Sequence, residues 1–139
     1  MKSHVALVIK NSNNQILFIK RSMMKKSLPG IWSFASGTLE DGESVEETAI
    51  REGMEELGIE LLIEKEICEK ELPELNVKLH FLLCKIANGE PKVLDYDEIE
   101  RFEWMGFDDF FNRFSDDEIG HGLIWLRQNK DLLGNLNNY

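Results

Sequence analysis

Apolar positions recur along this chain in distinct rhythms, and each rhythm predicts an element. Val5-Ala-Leu-Val-Ile9 is an unbroken apolar run and reads as a buried strand. Asn11 to Asn14 is a turn, and Gln15 to Lys20 a second strand, so the two are expected to pair as a hairpin. Lys20, Arg21, Lys25 and Lys26 follow in a loop that ends at Pro29-Gly30. Ile31 to Ala35 is a short strand with large residues, Trp32 and Phe34, at alternate positions. Then the rhythm changes to that of a helix, from about Val45 to Leu57. Ser44 and Glu47 form an S-x-x-E capping box at its start, and Gly58 sits where a cap glycine belongs.

Further strands are expected near Leu61–Cys68, Val77–Ile86 and Ile99–Met105, and a helical turn near Asp108–Asn112. A second capping box, Ser115 with Glu118, is expected to open a helix from Asp116 to Lys130, with Ile119, Leu123, Ile124 and Leu126 inside. The tail from Gly134 to Tyr139 is expected to fray. Only one helix separates the early strands from the later ones. That order predicts an α/β fold with a mixed sheet flanked by helices, not a doubly wound parallel sheet.

Advancing about 100° per residue from Val45 gathers Ala49, Ile50, Gly53 and Leu57 on one side, which should pack on the sheet. Glu52 and Glu56 border that stripe and Glu55 lies next to them. Like charges at i,i+4 cost about 0.2–0.5 kcal/mol each on an isolated helix. A cation reverses the sign, and hard divalent ions such as Mg²⁺ take carboxylate oxygens. Arg51 lies four residues from both Glu47 and Glu55 and is placed to orient Glu55. Gly53 costs about 1 kcal/mol relative to alanine in mid-helix, and closer approach of helix to sheet is the compensating gain expected.

Composition narrows the function. The 139 residues suggest one domain, residues 1–139, large enough for a proper core. A net charge of −10 argues against broad binding to nucleic acid or anionic membranes, but not against a small phosphorylated substrate. Cys68 and Cys84 form no motif and read as reduced thiols of a cytoplasmic protein. The one apolar run near the N-terminus is too short for a signal or a membrane span. His4, His80 and His121 show no metal-ligand spacing and are read as incidental.

The segment Gly37 to Ile59 resembles the Nudix box, G-x5-E-x7-R-E-U-x-E-E-x-G-U, where U is bulky and apolar. Gly37, Glu43, Arg51-Glu52, Glu55-Glu56, Gly58 and Ile59 all match, and Gly53 alone departs, standing where a bulky aliphatic residue belongs. The box covers 23 residues, and the flanking order of elements agrees over most of the chain. The resemblance implies an α/β/α sandwich and hydrolysis of a nucleoside diphosphate linked to a further group, X. It implies Glu52, Glu55 and Glu56 as ligands of Mg²⁺ or Mn²⁺, the Gly37 carbonyl near the metal, and support from Arg51 and Glu43. It leaves room for a homodimer.

Hydrolysing a phosphoanhydride sets water against a polyanion, so the chemistry needs cations and a base. The family often draws that base from an acidic segment before a Trp-containing strand. Here Asp97 and Glu98 precede Trp104, and Glu98 is favoured over Glu40 of the box loop. Within the basic loop, Arg21 closes a strand and is the expected phosphate contact, while Trp32 and Phe34 are candidates to stack on a base. The leading expectation is a MutT-like enzyme cleaving a nucleoside triphosphate to monophosphate and pyrophosphate. Pro73, fifteen residues after Gly58, leaves a nucleotide sugar such as ADP-ribose as an alternative. Isopentenyl-diphosphate isomerisation uses the same fold, but the intact box and short chain argue against it. A nucleotide-binding module without turnover is the alternative from another class. Phe34-Ala-Ser-Gly37 replaces the family's usual Pro-Gly-Gly, a change at the substrate mouth.

Overall fold

A computed structural model describes residues 1–134. Its strands are β1 (Lys2–Ile9), β2 (Ile16–Arg21), β3 (Trp32–Thr38), β4 (Glu60–Leu72), β5 (Val77–Asn88) and β6 (Ile99–Met105). Its helices are α1 (Val45–Leu57), α2 (Phe107–Arg113), α3 (His121–Gln128) and a last short α4 (Asp131–Gly134). The strands form one mixed six-stranded sheet in the order β4-β5-β1-β3-β2-β6. β1 and β5 are parallel, and the other neighbours are antiparallel.

Helices cover both faces, which explains the unbroken apolar run of β1. Val5, Leu7 and Ile9 face Ala49 and Leu57 of α1. Ala6 and Val8 face Phe110, Leu123 and Leu126 of α2 and α3. A strand buried on both sides needs no polar alternation. The α/β/α expectation therefore holds. The tail beyond Gly134 lies outside the described residues. Among those residues, no helix is long and apolar enough to cross a membrane.

Two expectations are corrected. β1 and β2 do not form a hairpin ladder. A single antiparallel bridge, Lys10 to Ile16, joins them, and β3 runs between them. The first half of β3, Trp32 to Phe34, pairs with β2, and its second half, Ala35 to Thr38, pairs with β1. The buried apolar stretches of β1 and β2, Val5–Ile9 and Ile16–Ile19, each gain a ladder partner and a covered edge by flanking β3. The Asn11 side chain still builds the tight turn, accepting from the amides of Asn13 and Gln15 at 2.9 and 3.0 Å.

The second capping box forms as expected, but it closes a 3-10 turn, Asp116–Glu118, and not a long helix. Ile119 is extended and buried, in a bridge to Trp32, and the Gly120 amide donates to the Trp32 carbonyl at 2.9 Å. Docking Ile119 on the sheet interrupts the helix, which restarts at His121.

Candidate active site

The box helix is capped at both ends as its sequence requires. The Ser44 hydroxyl accepts from the Glu47 amide, and the Glu47 carboxylate accepts from the Ser44 amide, both at 3.1 Å. Gly58 adopts φ 67°, and its amide donates back to Gly53 and Met54 carbonyls. The buried stripe is Thr48, Ala49, Gly53 and Leu57; Ile50, expected within it, is 45% exposed. The face is thus rotated toward Thr48, and the rotation carries the 52/56 row inward. The Glu52 side chain is only 13% exposed, whereas Glu55 at 60% stands in solvent.

Gly53 lies where helix and sheet meet most closely. A Cβ there would fall 2.7 Å from Leu61 Cδ1 and 2.9 Å from its Cγ. The bulky residue that the box pattern asks for is absent because Leu61 of β4 already fills the space. Gly37 is constrained in the same way, since an added Cβ would lie 2.3 Å from both Cγ and Cδ of Glu52. That glycine lets β3 and the Glu52 carboxylate come together.

Arg51 organises the carboxylates. Its Nε and Nη2 donate to the two oxygens of Glu43 at 2.7 and 2.9 Å, a bidentate pair. Its Nη1 donates to Glu52 at 2.9 Å and Glu55 at 3.2 Å, and Nη2 also reaches the Thr38 carbonyl at 3.1 Å. Glu43 also accepts from the Glu40 amide and the Thr48 hydroxyl, tying the loop before α1 to the helix. The Arg51 hydrogen bond, foremost, holds the Glu43 carboxyl down to about 2. The same contact, led by Glu43, pushes the guanidinium upward.

Glu56 is the unusual member of the group. Burial, then the charges of Glu52 and Glu98, push its carboxyl up to about 9. Its Oε2 is buried without a hydrogen-bond partner among the described residues. A native structure rarely leaves such an oxygen unsatisfied. Burial likewise raises Glu52, against the opposing pull of Arg51. Two desolvated carboxylates beside an exposed third, one oxygen orphaned, are the donor set a hard divalent cation completes. Glu52, Glu55 and Glu56 fit such an ion.

These carboxylates open onto a cleft of about 620 Å³. Gly37, Thr38 and Arg51 line it together with Arg21, Lys25 and Glu98. The structure therefore brings Glu98 to the box from a distant turn, where its carbonyl accepts from the Ser22 amide at 3.0 Å. Arg21 reaches the cleft with its guanidinium committed to the loop, donating to the Leu28 carbonyl at 3.3 Å and the Ser27 carbonyl at 2.9 Å. Trp32 and Phe34 do not line this cleft, although Phe34 lines a smaller apolar cavity that adjoins it. Both are buried, 4% and 3% exposed, Trp32 against Phe114 and Phe34 against Phe18. Alternation along β3 points them at the α2/α3 face, while Ala35 and Gly37 turn toward α1.

Thr38 and Thr48 belong to the site and were not singled out from the sequence, where nothing distinguishes them from ordinary polar neighbours of the box. His80 is less isolated than its sequence suggests. A bulge between Glu66 and Cys68 turns Glu66 and Glu69 toward it, with Nδ1 2.7 Å from Glu66 and 3.5 Å from Glu69. Lys78 also pairs with Glu69 at 3.1 Å, so one of the two carboxylates already has a cationic partner.

A sheet between helices, with converging carboxylates at an open cleft, defines an α/β protein carrying the donor set of a divalent-cation site. Residues 2–124 match the NUDIX domain, and the chain belongs to that family, whose members generally use divalent metal. It is 29% identical over 99 residues to a putative 8-oxo-dGTP diphosphatase of Bacillus subtilis, a match covering 71% of this chain and 62% of that protein. It is 36% identical over 88 residues to the 8-oxo-dGTP diphosphatase of Escherichia coli, covering 60% and 66% respectively. The chain thus spans under two thirds of either relative. A Deinococcus radiodurans structure shares the fold with a TM-score of 0.74 at 21% identity, over 91% of this chain and 82% of that one.

Proposed function

We propose that this chain forms one Nudix domain that hydrolyses a nucleoside diphosphate linked to X, with a nucleoside or deoxynucleoside triphosphate the preferred substrate. Water attacks phosphorus, a P–O–P bond breaks, and a nucleoside monophosphate and pyrophosphate leave. The orphaned, buried Oε2 of Glu56, beside Glu52 and facing a cleft, carries the reading.

Glu52, Glu55 and Glu56, with the Gly37 carbonyl, would hold Mg²⁺ or Mn²⁺. When bound, such an ion supplies neutralisation of phosphate oxygens and makes water more acidic. Arg51 keeps Glu52 and Glu55 aimed, and Glu43 keeps Arg51 fixed. Glu98, which lines the same cleft, is the base that takes the proton from the attacking water. An apolar cavity of about 210 Å³ adjoins the cleft and shares His4, Arg21 and Ser36 with it. A polar trough beside an apolar pocket suits a phosphate chain joined to a base. The relatives' printed names make 8-oxo-dGTP the first substrate to try.

ADP-ribose is the second reading. The turn that Pro73 begins places Leu72 and Leu75 on the wall of that cavity. We further place the protein in the cytoplasm, where Cys68 and Cys84 stay free thiols.

The test is a Mg²⁺-supported panel of nucleoside triphosphates, 8-oxo-dGTP, ADP-ribose and dinucleoside polyphosphates, run on wild type and Glu56→Gln. Turnover by wild type and its loss in the folded variant is the expected result. Equal, negligible turnover by both leaves a nucleotide-binding module instead.

A further inference from the structure

The cleft lacks positive charge for a polyanion. Among the described residues its lining holds six carboxylates against the cations Arg21, Lys25 and Arg51. Arg51 is consumed by Glu43, Glu52, Glu55 and the Thr38 carbonyl. Arg21 is consumed by Ser27 and the Leu28 carbonyl. Those bonds brace a loop in which Leu28 and Gly30 both take positive φ, 48° and 72°. Moving either guanidinium would dismantle the loop or the box.

Lys25 differs from both. Its ammonium has one partner among the described residues, Glu98 Oε2 at 2.7 Å. The pair sits at the cleft wall with side chains 24% and 44% exposed. An ion pair this exposed is weak and readily exchanged, and a lysine swings its point charge on a flexible stem with three donors. Its backbone is anchored meanwhile, the Lys25 amide donating to the Ser22 carbonyl at 3.2 Å and the Ser22 amide to Glu98.

We propose that Lys25 is the phosphate-positioning residue of this cleft, exchanging Glu98 for the terminal phosphate when substrate enters. The exchange releases the Glu98 carboxylate as the phosphate chain arrives. It also favours triphosphates. A terminal phosphate carries a second ionisable oxygen and so more charge for the ammonium, whereas each phosphate of ADP-ribose, linked on both sides, carries a single negative charge. The proposal rests on the hydrolase reading for its kinetics and stands apart from it in binding.

The experiment compares wild type, Lys25→Met and Lys25→Arg, with melting temperatures checked for equal folding. One arm measures KM and kcat for a triphosphate and for ADP-ribose. A second measures calorimetric binding of a non-hydrolysable imidotriphosphate. For Lys25→Met the triphosphate KM and the analogue Kd are expected to rise about tenfold or more, with kcat changing far less. ADP-ribose shifts less, and Lys25→Arg recovers most of the loss. Unchanged triphosphate KM and Kd, equal losses for both substrates, no recovery in arginine, or no binding of the analogue by wild type each overturn the proposal. If wild type hydrolyses neither substrate, the hydrolase reading falls and the calorimetric arm alone decides on Lys25.

Discussion

Arg51 and Glu43, eight residues apart, meet in a two-pronged hydrogen bond of 2.7 and 2.9 Å that closes the box loop onto its helix. Each end then holds something else: Glu43 the Glu40 amide and Thr48 hydroxyl, Arg51 the carboxylates of Glu52 and Glu55. The geometry, not the charge, makes the joint. Arg51→Lys keeps the charge and removes the fork, so it is expected to lower kcat/KM about 10–100-fold, as loss of an outer metal-site partner does. Glu43→Gln should fall in the same range. A Mg²⁺ titration of activity checks both, and wild-type behaviour in Arg51→Lys would show the fork to be dispensable.

Glu56 links the site to pH. Its folded carboxyl is raised to about 9 from an ordinary 4.5. Between those values the metal-free folded protein keeps a proton that the unfolded chain has released. Stability therefore falls as pH rises through that window and levels off above it. Divalent metal competes with the proton, so stabilisation by Mg²⁺ should grow over the same range. Melting curves with and without Mg²⁺ between pH 5 and about 9 test this. Glu56→Gln should flatten the metal-free slope and remove the Mg²⁺ response. The loss of turnover in this variant is expected to exceed the roughly 100-fold typical of an outer partner.

Gly37→Ala puts a methyl group onto Glu52, 2.3 Å from its Cγ and Cδ. Glu52 is displaced, and activity should drop with weakened Mg²⁺ dependence. Gly42 has open space around its Cβ direction. Gly42→Ala, though strained by its φ of 85°, should leave Mg²⁺ dependence as in wild type. Comparing apparent Mg²⁺ constants of the two variants separates displacement of a ligand from loss of stability.

Gly53→Ala adds helix propensity worth about 1 kcal/mol yet is expected to destabilise, because overpacking against Leu61 costs about 1–3 kcal/mol. Leu61→Ala opens the space and is destabilising by itself. Combined, the two should cost less than the sum of the singles, a coupling read from denaturant midpoints in a double-mutant cycle. Additive losses would mean that Leu61 is not what excludes a side chain at position 53.

The sequence alone carried the box, its caps, its carboxylate row and the mixed α/β order, because each depends on neighbours three or four positions away in one helix or on alternation in one strand. It also placed a glycine on the packing face of α1. Tertiary structure decided the rest. β3 lies between two strands that local pattern would have paired, since burial of both faces outweighs a short turn. Trp32 and Phe34 belong to the core because strand parity is set by what packs on each face. Ile119 breaks a helix whose capping box is intact, for the sake of a docked side chain and one backbone bridge. Lys25 and Glu98 meet in an ion pair on the cleft wall, 73 residues apart in the chain. No local periodicity encodes such a pair; it exists because the β2–β3 loop and the turn before β6 end on adjoining strands.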